Sequence, residues 1–371
     1  ETMERIEKIE KIDIPKKARE INEQLHQENE ELKEEITHLK SAPYELTKDD
    51  GTKEYYSLVT HKLLKKIDKD ETIWEYHPNN GMLLKKTDKY HTMTEYGSHG
   101  KRIKETLING VWTEFNPVND KMIKRKNIDG SLEEFDENEK KIKETTYHQN
   151  GNIYQLREYD KDTGNKFKET TYKTNGKTID YVVEFDKNTG KDVKATYYQD
   201  DGKTIQNIIE YDKVTNKKVK DTYYQDDGKT INYVVEFDKN TGKDVKATYY
   251  QDDGKTIVYV DEFDKDTGNK IKETTYKTNG KTIDYVVEFD KETGNMIKKT
   301  EYQEDGETID WVKEYDKDTG NHVKHTIYRL DGKTIHFIHE YNMAGFPIHT
   351  IKYKDDGKTI DNIREFGKIQ Y

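Results

Sequence analysis

Three groups of side chains in this sequence have types and spacings that could do chemistry. Asp160-Lys161-Asp162-Thr163-Gly164-Asn165 has the alternating acids that begin a calcium loop, where hard oxygen ligands surround the ion. Its glycine comes one place early, and no glutamate follows at the twelfth position to close the site. A hairpin turn accounts for it better. Five of the 12 histidines, His322, His325, His336, His339 and His349, crowd the last units. Imidazoles on one sheet face, with His325 and His339 as diagonal neighbours, could share a metal or sense pH. Exposed sheet histidines would do neither, and that is the simpler account. Glu184 and Lys194 recur in nearly every unit and could exchange protons. A pair repeated that often is structural, since opposite charges across two strands contribute roughly 0.2–1 kcal/mol each. No nucleophile elbow, phosphate-cradling glycine loop or nucleotide fingerprint is present. The sequence names no catalytic residue, no metal ligand and no cofactor, and the chain reads as a non-enzyme.

The elements that would position these groups repeat. Gly176, Gly202, Gly228, Gly254, Gly280, Gly306 and Gly332 stand 26 residues apart, and Gly357 follows after 25. A fixed period in this range marks a repeat architecture. Each unit holds two runs rich in β-branched and aromatic residues, Ile179 to Phe185 and Val193 to Tyr198. Asp186 to Gly190 and Gln199 to Gly202 are turns, each closed by a glycine that suits a left-handed bulge. In that register Ile179, Tyr181, Val183 and Phe185 share a face with Val193, Ala195 and Tyr197. Thr178, Asp180, Val182 and Glu184 then share the other with Lys194, Thr196 and Tyr198. Two-residue turns would exchange the faces. The expected fold is all-β: an elongated single-layer or superhelical antiparallel sheet of tandem β-hairpin repeats, with an N-terminal α-helix.

Composition agrees with a thin sheet. The chain has 371 residues, 31% hydrophobic and 37% charged, with 28 tyrosines, no cysteine and a net charge of −11. That is too little apolar surface for a thick core. Disorder is countered by the tyrosines and the regular period, and each unit of a repeat array contacts only its neighbours. The acidic balance gives no nucleic-acid footprint. No apolar run approaches the roughly 20 residues needed to span a bilayer as a helix. The chain begins at Glu1, so either a signal peptide was removed or the chain was trimmed.

Three regions follow in order. Residues 1–43 are helical: Ala18, Asn22, Leu25, Asn29, Leu32, Ile36 and Leu39 alternate spacings of four and three. That is a heptad seam with Asn22 and Asn29 at a positions, which favours a two-stranded register. A homodimer through residues 16–40 is one reading; a solvated helix or a cap on the sheet is the other. Residues 44–150 carry shorter hairpins of about 20 residues, marked by Glu54-Tyr55, Glu75-Tyr76, Glu95-Tyr96, Glu114-Phe115 and Glu134-Phe135. Residues 151–371 carry the 26-residue unit, and Lys168–Lys187 is identical to Lys272–Lys291.

The Tyr-Asp-x-x-Thr-Gly-x-x-[Ile/Val]-Lys core, at Tyr159–Lys168 and Tyr315–Lys324, resembles YD-type repeats, most closely those of phytoplasma tandem-repeat proteins. The resemblance implies a secreted parasite effector that binds host proteins, in the host cell or on the parasite surface, and supplies no catalytic residues. The alternative is a surface adhesin for host glycans or glycoproteins. Candidate partner-binding residues are Tyr172, Tyr198, Tyr224, Tyr250, Tyr276, Tyr302 and Tyr328, which end the second strand of successive units, together with Trp311. Tyrosine offers contact area and a hydroxyl at modest entropic cost. A tyrosine that merely covers the adjacent turn is the plain alternative. The units differ mainly beside that row, at Tyr181, Asn207, Tyr233, Tyr259, Tyr285, Trp311 and Phe337, where partner choice could be written.

Overall fold

The computed structural model describes residues 14–40 and 43–366. The outermost parts of the first and third regions, 1–13, 41–42 and 367–371, lie outside the described residues. What is described forms one helix, α1 (Ile14–Lys40), and one open antiparallel sheet of 28 strands, β1 (Pro43–Thr47) to β28 (Ile360–Glu365). The chain divides into two units, residues 1–144 and 145–371. In the first, the strands β1 to β10 (Leu132–Phe135) are four or five residues long. In the second, most strands have seven residues.

The second unit shows why the 26-residue sequence makes this ladder. The runs Ile179–Phe185 and Asp192–Tyr198 become β14 and β15, and β16 (Ile205–Tyr211) and β17 (Lys218–Tyr224) repeat them. Tyr181 pairs with Tyr197, Val182 with Thr196, Val183 with Ala195 and Glu184 with Lys194. This is the register expected from the glycine-closed loops. The bulges fall elsewhere, however. They occur where Phe185 meets Asp192 and where Tyr198 meets Ile205, inside the strands and not at the glycines. Each loop hydrogen-bonds across a longer span than a tight turn, Asp186 N–H to Lys191 and Gln199 N–H to Thr204. An extra strand residue then restores the pairing.

Each face carries rows that run from strand to strand. On the first face Val183, Ala195 and Ile209 form a middle row, flanked on one side by Tyr181 and Tyr197 and on the other by Phe185. We call it the aromatic face. On the second, charged face, Glu184, Lys194, Glu210 and Lys220 alternate beside a row of Val182, Thr196, Ile208 and Thr222. Both middle rows are buried by their neighbours: Ala195 is 1% exposed and Thr196 6%. β-branched side chains on adjacent strands shield one another from both sides, so the apolar core is two thin rows.

The 26-residue glycine series has a packing cause as well as a conformational one. Gly202 and Gly228 have φ of 69° and 66°. A Cβ on Gly228 would sit 2.6 Å from Thr204 Cγ2 and 2.8 Å from Ile205 N, because each loop lies on the preceding one. The glycines of the opposite loops also have positive φ, but they face open space, a flexible lysine or, at Gly190, the Asn165 side chain at ordinary contact distance. There Asn216 takes the place of a glycine at φ 57°.

Candidate binding face

On the aromatic face of the second unit, successive strands place aromatic rings side by side. Tyr181 and Tyr197 have centroids 5.3 Å apart. Tyr223, Tyr233, Tyr249 and Tyr259 form a continuous stack with spacings of 4.3, 5.3 and 4.2 Å. The pairing sets this, because directly opposed residues on every strand are tyrosines there. Stacked in this way the rings bury their faces on each other and turn edges and hydroxyls outward. Burial, then nearby Tyr249 and Asp261, pushes the Tyr259 phenol up to about 12. Burial and Asp221 raise Tyr223 as well. These hydroxyls are proton donors at any physiological pH.

The row is interrupted where the repeats differ. Asn207 replaces a tyrosine, and its amide donates to Asp221 Oδ1 at 2.8 Å. Both are buried, at 7% and 4% exposure. Beside this break an open cleft of about 700 Å³ is lined by Lys173, Asp180, Gln206, Tyr223, Asn232 and Tyr233, and also by Tyr198 and Tyr224 of the candidate row. Farther on, Trp311 lies under two ammonium groups, Lys313 at 4.9 Å and Lys299 at 5.4 Å.

The other sequence candidates fall in different places. Tyr172, Tyr198, Tyr224, Tyr250, Tyr276, Tyr302 and Tyr328 are half-buried, and each pairs with an isoleucine: Ile179, Ile205, Ile231, Ile257, Ile283, Ile309 and Ile335. Strand alternation puts them on the charged face. They are not beside the Glu–Lys row as expected. The Val–Thr row separates the two, because Tyr198 and Lys194 lie on either side of Thr196. Glu–Lys pairs close at 3.3 Å for Lys194–Glu184, 3.2 Å for Lys272–Glu262 and 3.5 Å for Lys324–Glu314. All are solvent-exposed, and each adds little.

His325 and His339 are directly opposite each other, not diagonal. The bulged residue His336 takes up one position and brings them level. The acids resembling a calcium loop turn inward: Asp160 Oδ1 accepts the N–H groups of Asp162 and Thr163 at 3.1 and 2.9 Å. Among the described residues no group of three or more His, Asp or Glu side chains is placed to hold a metal. None of the described helices is long and apolar enough to cross a membrane. On α1, Asn22, Leu25, Asn29 and Leu32 are exposed and Ile36 is half-buried, while the side chain of Leu39 lies outside the described set. The stacked tyrosines were visible in the sequence as a varied row but not as a stack; direct cross-strand pairing, which needs the bulge positions, decides it.

A family described as "Protein of unknown function (DUF2963)" matches four consecutive segments, 147–197, 198–249, 250–301 and 302–347, together more than half of the chain. The chain belongs to the DUF2963 family. Each matched segment of this DUF2963 protein spans about two of the 26-residue units. A search of curated proteins finds no match. Among solved structures, the TcdB2-TccC3 crystal structure aligns at 13% identity and TM-score 0.19, covering 83% of this chain and 18% of that one. The Photorhabdus luminescens Tc holotoxin pore aligns at 15% identity and TM-score 0.15, covering 81% and 18%. TarM aligns at 17% identity and TM-score 0.13, covering 41% and 23%. The chain thus spans less than a quarter of each. Likenesses this loose carry no functional argument.

Proposed function

We propose that this DUF2963 chain is a non-enzymatic interaction scaffold, secreted by a phytoplasma-type parasite, whose aromatic face takes host proteins. The observation that carries the reading is a contrast between faces. The charged face keeps glutamate at Glu184, Glu210, Glu236, Glu262, Glu288 and Glu314 without exception. On the aromatic face, positions 181, 207, 233, 259, 285, 311 and 337 read Tyr, Asn, Tyr, Tyr, Tyr, Trp and Phe. A constant ladder holds the sheet together; a varied aromatic row at regular spacing can discriminate among partners, since aromatic anchors dominate interface energetics. The exposed Leu25 and Leu32 of α1 support a second element of the proposal, a helix that pairs two copies of the chain. The test is affinity capture from plant and insect lysates with mass spectrometry, using the full chain and a variant carrying Tyr259→Ala and Trp311→Ala. A protein captured by the first and lost by the second supports the reading. Capture that the variant retains refutes the assignment to this face.

A further inference from the structure

The middle row of the aromatic face changes character towards the end of the chain. Up to Val287 it is mostly aliphatic with scattered acids. On the next six strands, β23 (Met296–Tyr302) to β28, it reads Lys299, Lys313, His325, His339, Thr350 and Arg364. In a chain of net charge −11 this is a cationic stripe. Aromatic rings wall it. Trp311 stands edge-on to His325 at 5.3 Å, and Phe337 lies parallel to His339 at 6.2 Å. His322 closes the far side, 6.0 Å from His325 and 4.3 Å from Tyr341.

The groups here are unequally satisfied. Lys299 meets Glu301 at 3.3 Å. His322 Nε2–H donates to the Lys324 carbonyl at 2.9 Å, and His339 Nδ1 meets Thr350 Oγ1 at 2.8 Å. That leaves Lys313, whose ammonium meets only the Trp311 ring face at 4.9 Å, the Nε2 of His325 and the second nitrogen of His339. Among the described residues, no carboxylate lies within ion-pair reach of these three. His325 Nε2 is buried with no hydrogen-bond partner. Burial first, then Lys313, His339 and His322, brings its pKa down to about 4. The titratable groups that face it are Lys299 and Glu301 from β23, Lys313 and Tyr315 from β24 (Ile309–Tyr315), His322 on its own strand, and His339 and Tyr341 from β26 (Ile335–Tyr341). Lys324 and Glu340 point to the other face.

We propose that Lys313, His325 and His339 form an oxyanion site for a sulfate or phosphate group, which binds together with a proton. A tetrahedral anion could accept from donors on three adjacent strands at once. It would offset the Lys313 charge and the partnerless imidazole, so that His325 could carry its proton. Proton and anion then favour each other reciprocally. This site does not depend on the scaffold reading.

The test follows His325 by NMR in the full chain with labelled histidine, in chloride, in sulfate and in methyl phosphate. Sulfate is the main probe because it does not titrate in this range, and the methyl phosphate arm separates the two sources of the group. In chloride the imidazole should titrate near 4. Saturating sulfate should raise that midpoint by about two and a half units, into the ordinary imidazole range, and sulfate should then bind roughly tenfold tighter at about pH 5.5 than at about pH 7.5. Lys313→Met should remove the sulfate effect, with an unchanged thermal midpoint at neutral pH showing that the fold is kept. His325→Gln should bind sulfate with most of that pH dependence lost. The same His325 midpoint in all three salts, or a sulfate effect that survives Lys313→Met, would overturn the proposal.

Discussion

At the scale of single residues, the two glycine series look alike in sequence and differ in what surrounds them. Gly242, at φ 77°, has only Lys217 Cδ within reach of a Cβ, at 3.5 Å. Gly242→Ala should therefore cost about 1–2 kcal/mol, the ordinary left-handed penalty. Gly228→Ala adds a clash with backbone that cannot move away, and should cost at least about 3 kcal/mol. Urea unfolding of the two variants measures this directly; equal losses would mean the loops do not rest on one another. The period of the glycines was legible in the sequence. Its packing cause was not, because that depends on residues 24 positions earlier in space-filling contact. The next residue back in each loop makes a second prediction. The Thr204 hydroxyl and the N–H groups of Lys203 and Thr204 hold Asp201 down to about 2, and Asp227 and Asp253 are held likewise. These folded pKa values lie below the unfolded value of about 3.9. Their stabilising contribution is complete above that value and is lost as pH falls through about 2. Replacing all three with asparagine should flatten the fall in thermal midpoint between about pH 4 and pH 2. An unchanged slope would show that these turns do not sense acid.

At the scale of elements, strand positions were readable because β-branched and aromatic runs alternate with polar loops, and β14 begins and ends where the sequence placed it. The faces were readable for the middle of each strand, since the unit length is even and the register repeats; Ile179, set from the sequence on the face of Tyr181, instead pairs with Tyr172 across a bulge at Asp180 and shares the charged face. The bulges were not. A loop closed by glycine gives no sign that Val193 or Gln206 will be the residue left over, and that shift sets His325 level with His339 and makes the tyrosines a stack. The helix offers a cleaner test. If its exposed seam joins two copies, Leu25→Asp with Leu32→Asp should halve the mass seen by light scattering, because a and d side chains are then charged. The same monomer mass for wild type and variant would leave the helix as a solvated arm.

At the scale of the molecule, the fold is a set of rows, each conserving or varying one kind of chemistry along the strands. One row of alternating glutamate and lysine, and one of alternating aliphatic residue and threonine, run through the second unit nearly unchanged. The aromatic rows beside Ala195 and Ile209 change from unit to unit. Sequence reasoning reached the repeat class and the existence of two unlike faces. It set its binding tyrosines on the charged face, where each is matched with an isoleucine; the structure draws attention to the opposite face, where rings meet rings. The measurement that separates these is a side-by-side affinity comparison against one host protein captured by the full chain. One variant carries Tyr259→Ala and Trp311→Ala, the other Tyr198→Ala and Tyr250→Ala. The account predicts that the first loses roughly tenfold or more in affinity, as expected when aromatic anchors are truncated, while the second binds as the unaltered chain does. Loss of binding in the second with full binding in the first would contradict it.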